Sequence, residues 1–226
     1  PEFYLENHKW YGTKKHRDYL TNKSKVTWIH RMSYKPVKKV LEAKPKLLLH
    51  VCCWPDVTVP ILDLKEHYDL VCFWYEPNIQ PKKEYNKRLK AFKKVCEIEK
   101  VEFEVWSYDD KEFFKKVKWL DNEPEKGKRC TVCYDMSLKK TAELAEKLEI
   151  ENWTTTLSIS PHKNLKKIFE IWEKYSISPA WIQKIKSKFL KIDFKKNDWF
   201  QRSIEYCKEK KIYRQYYCCC VFSKRK

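Results

Sequence analysis

The chain has 226 residues, enough for one well-buried core and short for two independent domains. Hydrophobic residues make up 42% and aromatics 15%, which excludes a disordered chain although 35% of the residues are charged. Lysine and arginine number 49 against 31 acidic residues, a formal charge of +18 whose field attracts a polyanion such as nucleic acid, although lysine spread through nearly every segment is also what a biased composition leaves.

Residues 1–45 are basic and aromatic, with Trp10, Tyr11, Tyr19 and Trp28 set among lysines, and a helix is expected at 33–43. This segment reads as an N-terminal extension, and residues 46–226 as a single catalytic domain. The apolar run 46–51 ends at two cysteines, as a buried parallel strand would. A helix over 56–67 follows, with Pro60 in its first turn, where the missing N–H costs little. Residues 69–75 predict a second strand, 82–100 a long helix, 101–105 a third strand and 109–117 a helix. A loop holding Pro124 and Gly127 leads to Cys130 and Cys133, then a helix runs through Leu148. A strand at 152–157, a helix opening after Pro161, a short strand at 188–192, a helix at 198–210 and the cysteine-rich tail 213–223 complete the chain.

This alternation predicts an α/β fold, Rossmann-like or HUP-like, with a parallel sheet of about four to five strands flanked by helices. The tail is expected to close over the site. No run of about 18 apolar residues is present, and residues 1–25 lack the apolar core of a signal peptide. The expectation is a soluble, cytoplasmic protein without a membrane partner. GxGxxG and GxxxxGK[ST] loops are absent from a chain with two glycines, Gly12 and Gly127, which argues against dinucleotide and ATP chemistry.

In a reducing compartment, ten cysteines point to metal ligation or redox chemistry more than to disulfides. Cys52 and Cys53, with Asp56, stand at the carboxyl end of the first catalytic-domain strand, where open parallel sheets bind ligands. Adjacent side chains diverge, so these two suit neighbouring metal centres better than one. Cys130 and Cys133 form a CxxC pair whose sulfurs can turn to one metal or one cluster, and Lys126, Lys128 and Arg129 beside them are expected to favour the thiolates. Cys218, Cys219 and Cys220 form the third group. Six cysteines, Cys52, Cys53, Cys130, Cys133, Cys218 and Cys220, together with Asp56 exceed the four ligands of a structural zinc. A cubane cluster fits better, with the surplus thiolates and Asp56 left for a separate iron. Cys72, Cys96 and Cys207 are expected in the core.

With these residues assembled, the stretches LLLHVCCWPD, YEPNIQPKKEYNKR, GKRCTVCYDMSLKKTAELA, TTTLSISPHK and YRQYYCCCVFS resemble the epoxyqueuosine reductases of the QueH type, from about residue 46 to 223. The resemblance implies reduction of the epoxide of epoxyqueuosine, at the wobble position of tRNA, to queuosine. It also implies a [4Fe–4S] cluster with an adjacent iron ion, and carries the ligand roles to Cys52, Cys53, Asp56, Cys130, Cys133, Cys218 and Cys220. This chain departs from the pattern at Trp54, Glu76, Gln80, Trp199 and Cys219, of which Trp199 puts the local turn in question and Cys219 the identity of the tail ligands.

Such a reaction needs two electrons from an external donor and two protons. Asp56 is expected to hold an iron that pulls on the C–O bond, and Tyr134, Tyr213 and His162 are candidate proton donors. Arg129, His162, Lys163 and Arg214 are candidate substrate contacts, with Arg88, Tyr216, Tyr217 and Trp54 as further contacts to RNA. The rival readings are a zinc-stabilised RNA-binding module without catalysis and a cluster-dependent tRNA thiolation enzyme, whose SGGxDS loop is missing.

Overall fold

The computed structural model describes residues 4–6, 9–11, 43–52, 55, 57–160, 163–176, 187–196 and 198–224. The chain divides into two compact units, Pro1–Glu42 and Ala43–Lys226. In the first, β1 (Tyr4–Glu6) and β2 (Lys9–Tyr11) pair antiparallel with Leu5 opposite Trp10. The helix expected at 33–43 lies outside the described residues, apart from Ala43.

The second unit is built on a five-stranded sheet in the order β5-β4-β3-β6-β7, formed by β3 (Lys46–Val51), β4 (Asp69–Trp74), β5 (Glu102–Val105), β6 (Asn152–Thr155) and β7 (Lys188–Phe189). Every pairing is parallel. Central β3 buries Leu47, Leu48, Leu49, His50 and Val51, so residues of both faces are shielded from water, as a covered parallel sheet requires. The connecting helices are α1 (Thr58–Leu64), α2 (Lys82–Glu99), α3 (Asp110–Lys116), α4 (Lys128–Lys147), α5 (Leu165–Ser176) and α6 (Trp199–Glu209). None of the described helices is long and apolar enough to cross a membrane.

From β3 the chain winds outward through β4 to β5 and then returns to the other side of β3 as β6. The direction therefore switches between β3 and β6, and open α/β sheets leave a crevice at such a point, beyond the carboxyl ends of the strands. Cys52 follows β3 directly, and its backbone N–H donates to the hydroxyl of Thr156, which follows β6, at 3.1 Å.

Three local expectations change. Cys130 and Cys133 lie within α4, not ahead of it, because the helix starts at Lys128. Gly127 leaves room there for the Glu123 carboxylate, which accepts the Lys128 N–H at 2.8 Å and caps the helix. Strand β6 stops at Thr155, whose hydroxyl accepts the Leu157 N–H at 3.1 Å and turns the chain into a 3-10 segment, Thr156–Ile159. The turn questioned at Trp199 puts the left-handed conformation on Asp198, with φ 52°, and Trp199 opens α6, stacked on Phe194 at 4.5 Å between ring centres.

Cys72, Cys96 and Cys207 are buried in the core as their spacing suggests. Replacing the central Leu48 by alanine is expected to destabilise the fold by about 3 kcal/mol, read as a lower denaturation midpoint with an unchanged denaturant slope.

Candidate metal centre

The described cysteines of all three groups meet at the switch-point crevice. Cys52, Cys130, Cys133, Cys218, Cys219 and Cys220 line one pocket of about 510 Å³, counted with its mouth. Cys52 is placed by strand β3, and its sulfur accepts a hydrogen bond from the Lys163 ammonium at 2.9 Å and one from the Thr156 hydroxyl at 3.5 Å. Cys130 and Cys133, three residues apart at the start of α4, share a helix face. Cys53, Asp56 and His162 lie outside the described residues.

The tail reaches the pocket through polar anchors rather than regular structure. Buried Arg88 of α2 donates to the Glu84 carboxylate at 2.7 Å and to the carbonyl of Cys218 at 3.1 Å, and its guanidinium lies 4.7 Å from the Tyr217 ring centre. The Tyr213 hydroxyl donates to both Glu84 oxygens, at 2.8 and 3.0 Å. Tyr217 donates to the Gln80 carbonyl at 2.7 Å, while the Gln80 N–H donates to the Cys219 carbonyl at 3.3 Å. Both are main-chain groups of Gln80; its side-chain oxygen adds a bond accepted from the Val221 N–H at 3.4 Å. The Cys219 thiol donates to the Cys52 carbonyl at 3.3 Å and so ties the tail to the end of β3.

Burial sets the charge state of the helix cysteines. Desolvation pushes the Cys133 thiol well above its ordinary pKa, with Glu76 and the sulfurs of Cys218, Cys220 and Cys130 adding to the rise. Cys130 is raised for the same leading reason; a backbone hydrogen bond at Lys126 and the charge of Arg129 oppose the rise without cancelling it. The expectation that the neighbouring cations would free these thiolates is therefore corrected, because loss of hydration outweighs them.

The pocket fits an iron–sulfur group on its donor chemistry. Several sulfurs that repel one another as thiolates face the same space, and a cationic centre bonded to them removes that repulsion. A single tetrahedral ion would draw its sulfurs to within roughly 4 Å of each other, given metal–sulfur bonds near 2.3 Å. Among the described residues, no group of three Cys, His, Asp or Glu side chains is arranged to hold one ion. The six cysteines that line the pocket are more thiolate donors than one tetrahedral ion takes.

The other singled-out residues separate into two sets. Tyr134 and Lys163 line the pocket. Burial holds the Tyr134 phenol above its ordinary pKa against the opposing Lys163 charge, so its proton is retained. Arg129 also borders the pocket, yet its guanidinium donates to the carbonyls of Leu120, Asp121 and Glu123 at 3.0, 3.0 and 2.7 Å, and lies 4.8 Å from the Phe222 ring centre. It braces the loop before α4. Tyr213 serves the tail anchor and Arg214 lies 5.8 Å from the Phe200 ring centre; neither lines the pocket.

Sequence reasoning missed Glu84 and Thr156, and saw in Glu76 only a departure. Glu76 is buried in the pocket wall with its Oε1 3.5 Å from His50 Nε2, while His50 Nδ1 lies 2.8 Å from the Thr155 hydroxyl. The four-residue spacing of Glu84 and Arg88 was the available signal for the anchor.

Arg88→Met is expected to loosen the tail and lower stability by about 3 kcal/mol, since Glu84 loses its buried partner. In the metal-free chain, iodoacetamide should then label Cys218 and Cys220 faster, as read by peptide mass spectrometry, with Arg88→Lys intermediate. Unchanged labelling would remove the anchoring role. In the wild-type metal-free chain at pH 8, Cys133 should be alkylated more slowly than a free thiol, because burial keeps it protonated.

Comparison with known proteins places these features in a family. The family described as "Epoxyqueuosine reductase QueH" matches residues 47–226. A relative of that description from Streptococcus pyogenes serotype M1 is 37% identical over 187 residues, covering 80% of this chain and 71% of the relative. Another from Thermotoga maritima is 37% identical over 184 residues, covering 78% and 89%. Among solved structures, the U34-tRNA thiolase NcsA from Methanococcus maripaludis with its [4Fe–4S] cluster superposes with a TM-score of 0.51 at 12% identity. That match covers 83% of this chain and 64% of the thiolase, less than two thirds of it, and shows a shared fold. By its matched length and its relatives, the chain belongs to the epoxyqueuosine reductase QueH family.

Proposed function

We propose that the chain reduces the epoxide of epoxyqueuosine at the wobble position of tRNA to the alkene of queuosine, using a [4Fe–4S] cluster and an adjacent iron. The observation that carries this reading is the meeting of three cysteine segments in one largely buried pocket at the switch point of a QueH-family chain. The reaction consumes two electrons and two protons, breaks both C–O bonds of the epoxide, forms the C=C bond and releases water. When bound, the metal centre supplies the electrons, delivered by an external donor, and a Lewis acid for the epoxide oxygen.

The chain's own residues divide the remaining work. Cys130, Cys133, Cys218, Cys220, Cys52 and Cys53 hold the metals, with Asp56 as the hard oxygen ligand suited to the separate iron. Tyr134 keeps a proton on its phenol oxygen inside the pocket and is the favoured donor of the two described tyrosines, because Tyr213 is engaged with Glu84. His162 stays a candidate from its place in the motif. The Lys163 ammonium donates to the Cys52 sulfur and sets a positive charge against it. Burial by the tail excludes water from the sulfurs and strengthens every electrostatic interaction among them.

Protein purified without oxygen should contain iron and acid-labile sulfide, and with a chemical reductant should convert epoxyqueuosine-containing tRNA to queuosine-containing tRNA, read by nucleoside mass spectrometry. Absence of queuosine from a sample with an intact cluster would defeat the reductase reading. A colourless protein with one zinc would favour the RNA-binding module. Asp56→Ala is expected to keep four irons and the sulfide, lose the extra iron and lose turnover; full iron and full turnover would strip Asp56 of its role.

A further inference from the structure

The loop 117–127 joins α3 to α4 beside the pocket: Phe113 before it, Glu125 within it and Arg129 after it all line the cavity. Its shape is held from inside by the three carbonyl bonds of Arg129. At its start the Leu120 N–H donates to the Val117 carbonyl at 2.9 Å, which closes a tight turn with Trp119 as its third residue. Trp119 has φ 71°, a left-handed conformation that glycine or asparagine adopts readily and a bulky residue adopts only under strain.

The turn also presents the indole to solvent. Trp119 is 84% exposed and Tyr216, two residues before Cys218, is 75% exposed, whereas no other described exposed large apolar side chain exceeds 41%. The two rings thus lie on two of the chain segments that contribute to the pocket lining. The fold gains little from Trp119, because an exposed indole buries almost nothing and its backbone is strained. Strained positions that packing does not reward concentrate where a ligand is handled.

Charge indicates the ligand. The Lys118 ammonium lies 4.9 Å from the Trp119 ring centre. Residues 115–128 carry five lysines, Lys115, Lys116, Lys118, Lys126 and Lys128, against Asp121, Glu123 and Glu125, and Glu123 is spent on the α4 cap. An exposed aromatic face among lysines suits a single-stranded nucleic acid, whose splayed bases stack while its phosphates meet cations.

Resting on the reading of tRNA as the substrate, we propose that Trp119 is a stacking platform for a base of the anticodon loop beside the one being reduced, with Tyr216, on the tail segment, as a second platform. Holding a neighbouring base outside the pocket positions the modified base within it, so these residues act on substrate binding and not on electron transfer.

The test uses cluster-loaded protein and epoxyqueuosine-containing tRNA under anaerobic conditions. Trp119→Gly is expected to raise Kd and KM for tRNA roughly 5- to 100-fold, with kcat and iron content retained. Its Tm should be equal to wild type or higher by about 2–4 °C, because glycine relieves the left-handed strain. Trp119→Phe should bind with intermediate affinity, and Tyr216→Ser should weaken binding independently. Wild-type tRNA affinity in Trp119→Gly overturns the proposal while leaving the reductase reading intact. Slowed turnover with a protein reductant alone, at unchanged tRNA affinity, also overturns it and assigns the surface to the electron donor. A wild-type protein that neither binds nor reduces the tRNA overturns both.

Discussion

Arg88 reaches out of α2 to the carbonyl of Cys218, and the assembled site depends on that reach. A buried guanidinium is tolerated only when its donors are engaged, and this one divides them between Glu84 on its own helix and the tail. Undocking the tail would leave a charged group in the core without part of its hydrogen bonding. Placement of Cys218 and Cys220 is therefore coupled to stability of the body, although the tail has no strand or long helix of its own. Tyr213, Tyr217 and Gln80 extend the same coupling along the segment.

Cys52 and the CxxC pair arrive differently. The first stands where β3 ends at the sheet's switch point, and the pair where α4 begins, so regular hydrogen bonding positions both without the tail. The beginning of a helix favours negative charge, and Arg129 adds its own field, yet burial still holds the Cys130 and Cys133 thiols protonated in the metal-free chain. On the proposed ligand set, a bound metal would take the place of those protons, its positive charge adding to that of Lys163. Glu76, negative when ionised, would make that charge more necessary.

Much of the fold was legible because its signals are local. Apolar runs ending in cysteine mark β3, and helical spacing marks α2 and α4. The CxxC pair was set ahead of α4 because two residues between cysteines suit either a loop or a helical turn. Arg129 was read as a substrate contact because it adjoins Cys130, but consecutive helical residues point about 100° apart, so one faces the pocket while the other turns to the preceding loop. Tyr213 was read as a proton donor from its nearness to the cysteines, and its hydroxyl turns to Glu84 instead.

By itself the sequence determined the cysteines' grouping into three clusters, the parallel α/β pattern and the family, all of which follow from residue identity and short spacing. Only the tertiary structure decided which cations and hydroxyls serve the scaffold and which face the pocket. Cys219 meets Cys52 across 167 residues, and Arg88 meets Cys218 across 130. Local spacing fixes neighbours over about one helical turn, whereas contacts at such separations are selected by packing of the whole sheet and its helices.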